Sequence, residues 1–217
     1  MVLKKEKDKP LIVCITGLPG SGKTTVADAL KGIGFTVISM GDVVRREAKK
    51  RGLELTDANL GKVMLELRSI HGPDAIAMLV GEDIRRLSAD EESEGDGERG
   101  KGNGKGNCYF AVDGLRSIRE AERLKEYGAV KVLAVHASRE RRFNFLLKRG
   151  RSDAPSDIKE FYARDKREID VGIAEAIALS DAIVSNDTSK DELVKNAISV
   201  VQRWVEEYNR DGNQSFN

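Results

Sequence analysis

One short stretch constrains this chain more than any other. Residues Leu11 to Thr16 are almost wholly apolar and β-favouring, as expected of a strand covered on both faces. They run directly into Gly17-Leu18-Pro19-Gly20-Ser21-Gly22-Lys23-Thr24, and a helical pattern follows to about Gly32. Strand, glycine-rich turn and helix in that order, with the spacing GxxxxGK[ST], form a phosphate-binding loop. Three glycines let the backbone turn tightly and aim amide hydrogens at phosphate oxygens, and the helix amino-terminus reinforces that nest. Lys23 is placed to reach the β- and γ-phosphates of a nucleotide, and the Thr24 hydroxyl to ligate Mg²⁺. Thr25 is a further candidate for an α-phosphate hydrogen bond. A turn that merely joins strand to helix gives no reason to put a lysine at the positively polarised end of that helix.

A strand that is apolar on both faces needs parallel neighbours and helices on either side. Short strands are expected at Thr36–Ser39, Cys108–Val112, Val130–Val135 and Ala182–Val184, with helical stretches between them. The economical fold is α/β, a P-loop NTPase fold with a five-stranded parallel doubly wound sheet. Its length of 217 residues suits a single domain over 1–217. Within it, 41–88 reads as a helical substrate-side segment lying over the sheet. Residues 91–106, EESEGDGERGKGNGKG, carry no apolar side chain to bury and read as a flexible low-complexity insertion. A helix over about Asp157–Ala178 and a final one opened by Ser189-x-x-Glu192 complete the pattern. Trp204 lies on the apolar stripe of the last helix and takes a packing role.

In a doubly wound sheet ligands bind beyond the carboxyl ends of the strands, so residues there are the next candidates. Asp113 follows Tyr109-Phe110-Ala111-Val112 and is the expected Mg²⁺ carboxylate; Arg116, three residues on, is placed to meet an acceptor phosphate. Asp42 and Arg45 follow the second strand and can face one cleft, the carboxylate orienting an attacking hydroxyl or a Mg²⁺-bound water and the guanidinium clamping a phosphate. Two basic stretches, Arg139 to Arg151 and Arg164 to Arg167, can supply charge to a phosphoryl group while a closing segment excludes water.

Composition narrows the partners. Formal charge is +1 with 34% charged residues, so there is no global bias toward nucleic acid or an anionic membrane, and a nucleic-acid partner is disfavoured. No stretch approaches the apolar length of a membrane span, and the start lacks a signal-peptide run, so the expectation is a cytoplasmic protein. Cys14 and Cys108 lie in expected interior strands and read as core thiols. A homodimer is left open.

The words ITGLPGSGKTTVA, ISMGDVVRREAKKRG, VDGLRS and LLKRGRSD, with RDKREIDVGIAEAIALSDAIVSND, resemble the P-loop nucleotide and nucleoside monophosphate kinases. More closely the chain looks like an uncharacterised archaeal family described as related to adenylate kinase, with dephospho-CoA kinase as another relative. The resemblance spans about residues 11 to 205. It implies a single kinase-like domain over 1–217 with ATP as donor, a helical acceptor-side segment at 41–88 that meets the acceptor phosphate and a lid-like segment at 149–170. Asp42 and Arg45 then match the acceptor-side Gly-Asp-x-x-Arg words, and Asp113 and Arg116 the Asp-Gly-x-x-Arg words. The lid would draw on Arg149, Arg151, Arg164 and Arg167, while Asn186 lies where similar kinases contact or shape the adenine pocket. VDGLRS lacks the Phe-Pro of the usual adenylate kinase wording, which leaves the acceptor open. The expected function is ATP-dependent phosphoryl transfer to a small-molecule acceptor; the alternative is a regulatory or RNA-associated NTPase with slow hydrolysis.

Overall fold

The computed structural model describes residues 9–93, 109–149, 155 and 157–214. Strand β1 (Leu11–Thr16) has all six residues buried. It lies at the centre of a five-stranded sheet of order β2-β3-β1-β4-β5, with β2 at Thr36–Ser39, β3 at Tyr109–Leu115, β4 at Ala129–His136 and β5 at Ala182–Ser185. Every adjacent pair is parallel. The alternation of β1 sorts its side chains into two cores. Leu11, Val13 and Ile15 pack with Val26, Ala27 and Leu30 of α1 (Lys23–Gly32) and with Leu193, Ala197, Val201 and Trp204 of α9 (Lys190–Gln214). Ile12 and Cys14 face the other layer, made from α2 (Met40–Lys50), α3 (Asp57–His71), α4 (Ala75–Ser93), α5 (Ile118–Leu124) and the short α8 (Ile173–Ala178). Two further helices, α6 (Arg139–Arg149) and α7 (Ile158–Val171), lie between β4 and α8 in the chain.

The doubly wound sheet is therefore the observed fold, and Trp204 is a core residue. Cys14 is fully buried, and burial pushes its thiol well above the ordinary range, so it is an inert packing group. Cys108 lies outside the described residues, as do residues 94–106 of the expected insertion. The first part of that stretch is helical, because α4 continues to Ser93.

Two boundaries differ from the sequence reading in ways that bear on the site. β3 does not stop at Val112: Asp113 stays in the ladder opposite Ile15, and the register then shifts so that Thr16 meets Leu115. The Thr16 hydroxyl donates to the Leu115 carbonyl at 2.9 Å, which closes the irregularity. The expected helix over Asp157–Ala178 breaks at Gly172, whose left-handed backbone (φ 115°) ends α7 and opens α8. Among the described residues no helix is long and apolar enough to cross a membrane.

Candidate active site

The loop between β1 and α1 is shaped by its own backbone and gripped from two sides. Gly17, Gly20 and Gly22 all have positive φ, and at each of them the neighbours leave no room for a side chain. A Cβ on Gly20 would lie 2.7 Å from the Arg142 carbonyl oxygen, and one on Gly22 would lie 2.6 Å from the Asn186 side-chain nitrogen. The same Asn186 donates from Nδ2 to the Ser21 carbonyl at 2.9 Å, and Arg142 donates to the Pro19 carbonyl at 3.1 Å. The Leu18 carbonyl accepts from the Ser21 amide at 3.1 Å, and so the loop holds its curve. Ser21 Oγ is buried in this cradle without a hydrogen-bond partner among the described residues. An orphaned donor inside a ring of glycine backbone fits an anion such as a nucleotide phosphate.

Lys23 curls back over the loop. Its amine donates to the Gly17 carbonyl at 2.6 Å and the Leu18 carbonyl at 3.3 Å. Loss of water lowers its pKa to about 8, against the opposing pull of the Asp113 and Glu168 carboxylates; Arg116 and Arg164 push the same way as burial. An arriving phosphate would stabilise the charge that this environment disfavours.

Thr24 Oγ1 donates to Asp113 Oδ2 at 3.4 Å, a long contact that joins the loop to the carboxyl end of β3. Among the described residues no three His, Cys, Asp or Glu side chains gather as a metal cage. Mg²⁺ does not need one, since it takes one or two protein oxygens and fills its octahedron with phosphate oxygens and water. Thr24 and Asp113 suit that demand. Thr25, on the next residue of α1, is half-buried.

On the other side of β3, Ser39 of β2 stands opposite Asp113, and its hydroxyl caps α2 by accepting from the Asp42 amide. Asp42 and Arg45, three residues apart on α2, pair with each other at 2.6 Å and are largely exposed. Arg116 leaves β3 and lies 3.4 Å from Glu168 of α7, with Met64 of α3 against its guanidinium. Behind it, buried Glu120 accepts from the Arg116 amide at 2.8 Å and from Arg68 at 3.1 Å. Desolvation raises the pKa of that carboxyl.

The lid arginines divide. Arg164 lies on the half-buried side of α7, near enough to Lys23 to act on its charge, whereas Arg167 is exposed. Arg149 ends α6, and Arg151 lies outside the described residues. Arg142 touches the loop through the Pro19 carbonyl and is bonded through both terminal nitrogens to Asp165 at 2.8 and 2.6 Å. Sequence reasoning does not separate Arg142 from its basic neighbours, nor single out Asp165 and Glu168. A signal was present: Arg142 is four residues from buried Leu146, and Asp165 four from buried Phe161. A charge on the inward stripe of each of two helices implies that the two meet.

A protein-family model described as an AAA domain matches residues 16–162, which include the loop, Asp113 and both basic helices in whole or part. The UPF0200 protein of Pyrococcus abyssi is 37% identical over 202 residues, covering 92% of this chain and 99% of that one. The chain belongs to the UPF0200 family. Among solved structures, this UPF0200 chain is similar to TT1252 from Thermus thermophilus (TM-score 0.57, 20% identity, 90% and 97% of the two chains). It is also similar to a gluconokinase from Sinorhizobium meliloti 1021 (TM-score 0.54, 16% identity, 93% and 97%). At such identities the likeness to the UPF0200 chain is one of fold.

Proposed function

We propose that this protein is an ATP-dependent phosphotransferase of the nucleotide-kinase-like kind, acting with Mg²⁺ on a small-molecule acceptor. The observation that carries the reading is the meeting of Thr24 with Asp113 beside the glycine cradle and Lys23, which supports a site for a nucleotide's phosphates together with a divalent cation. Bound Mg-ATP would supply the transferable phosphoryl group and a metal to spread its charge. The protein's part is positioning and charge neutralisation, with no covalent enzyme intermediate. The loop amides and Lys23 hold the donor end, with Asn186 fixing the loop from beneath. Asp42 orients the acceptor's attacking oxygen, and Arg45 and Arg116 hold its anionic group. Arg164, with Arg149, Arg151 and Arg167 in the lid-like segment, lowers the cost of charge on the transferring group. That a gluconokinase shares the fold supports small-molecule transfer within such an architecture.

The test is a mass-resolved screen of the purified protein with Mg-ATP against nucleoside monophosphates, dephospho-CoA and metabolite extracts. The expected outcome is one product heavier by a phosphoryl group, abolished in Lys23→Ala and reduced in Asp42→Ala. RNA-stimulated ATP hydrolysis with no small phosphorylated product would overturn the reading.

A further inference from the structure

Helix α7 touches both halves of the site through two carboxylates three residues apart. Asp165 holds the Arg142 guanidinium in a two-point grip, and that guanidinium also donates to the Pro19 carbonyl of the phosphate loop. Both side chains are nearly wholly buried, at 5% and 11% exposure, and Phe161 of α7 lies under the guanidinium with its ring centre 4.9 Å away. The backbone of Arg142 itself rests on Gly20. Glu168, 15% exposed, lies 3.4 Å from Arg116 and near enough to Lys23 to act on its charge.

An apolar pair would hold α6 against α7 at least as well as a buried ion pair, whose desolvation offsets much of its attraction. What the charged pair adds is direction, because a two-point guanidinium–carboxylate contact fixes an angle as well as a distance. Asp165 and Glu168 are less than one helical turn apart, so a shift of α7 at Asp165 is delivered at Glu168 with little loss. Rigid elements of this kind carry coupling between sites when both sites bias their position.

We infer that α7 is a connecting rod between the phosphate loop and Arg116, with Asp165 and Glu168 as its positioning residues, so that filling the loop sets where the acceptor-side arginine stands. The inference rests on the phosphotransferase reading, in which Arg116 serves the acceptor. By linkage the effect runs both ways: a change at the Arg116 end alters affinity at the loop by the same factor.

Calorimetric titration of Mg-ADP tests this in a mutant cycle. Asp165→Asn alone would strand the buried Arg142 charge and risks unfolding, so the rod is cut with Arg142→Met/Asp165→Leu, which removes both charges together. A second cut, Arg142→Lys, keeps the charge and loses the two-point grip. Glu168→Gln is then added to wild type and to each cut background. The expected result is that Glu168→Gln changes the Mg-ADP Kd at least about threefold in the wild-type background, and by little in either cut background. A direct electrostatic effect of Glu168 on Lys23 would have the same size in all backgrounds, and such additivity overturns the inference. No change on Glu168→Gln in wild type overturns it as well. Failure of wild type to bind Mg-ADP, or binding indifferent to Lys23→Ala, instead sinks the phosphotransferase reading and the rod with it; binding that needs Lys23 but shows additive losses sinks the rod alone.

Discussion

Lys23 occupies a position that suits an anion and not a cation. It stands at the first turn of α1, where the helix dipole is positive, and partial loss of water already lowers its pKa to about 8 from 10.5. A lysine that binds its proton less tightly when folded costs stability at all pH values below the folded pKa. That cost fades as pH rises from about 8 to 10.5. For a group fully removed from water such a displacement is on the order of 3 kcal/mol, and less for Lys23, which keeps part of its surface exposed. Lys23→Met should therefore stabilise the nucleotide-free protein at pH 7 and lose that advantage toward pH 10.5, as read by urea unfolding across a pH series. A gap that stays constant over that range would contradict the assignment. Asp187 behaves with the opposite sign. The Ser138 backbone N–H, and then the Ser185 hydroxyl, hold its carboxyl below the ordinary aspartate value, so its contribution is present above that value and lost as pH falls. Asp187→Asn should accordingly be less stable than wild type at pH 7 and converge with it in acid.

Among the elements, α5 depends most on its ends. It has only seven residues, too few to stand by propensity, and it begins with a complete capping box in which Ser117 accepts from the Glu120 amide while the Glu120 carboxylate takes the Ser117 amide. Since Glu120 also accepts from the Arg116 amide and from Arg68, the cap that starts α5 fixes the backbone of the candidate acceptor arginine. Ser117→Ala should cost about 1 kcal/mol in denaturant unfolding. An unchanged midpoint would show that packing alone holds α5. The spacing Ser117-x-x-Glu120 with apolar Ile118, Ala121 and Leu124 is readable in the sequence, because such a cap has a local mechanism. So are the loop and the central strand, where composition and spacing act within a few residues. The bend at Gly172 is not, since Asp157–Ala178 keeps its helical pattern across the glycine and only packing of Gly172 against Ser117 makes the break useful. Arg142 and Asp165 were hidden for a related reason: a basic and an acidic residue on charged helices look solvated in a sequence, and their burial depends on which helix lies opposite.

At the scale of the whole molecule, what could not be read locally is strand order. Asp113 becomes a candidate metal residue because β3 lies next to β1, which puts a residue of the chain's second half opposite Ile15 and within reach of Thr24. The doubly wound rule made that adjacency an expectation; it took the ladder to show that Asp113 pairs inside the strand, with the register shifting only after it. This arrangement makes the loop a junction. Its carbonyls are held by Arg142 from α6 and by Asn186 from beyond β5, while its lysine feels Glu168 of α7. A ligand bound there should therefore stabilise the fold as a whole and not the loop alone. At a free concentration of 100 times its dissociation constant, Mg-ATP should add about 2.7 kcal/mol. For a chain of this size that corresponds to a rise in Tm of about 5–10 °C. Scanning calorimetry should show the rise in wild type and its loss in Lys23→Ala, with ATP in excess chelator giving a smaller shift through the missing Thr24 and Asp113 contacts to the cation. An equal shift with and without Mg²⁺ would separate the loop from Asp113 and remove the carboxylate from the proposed site.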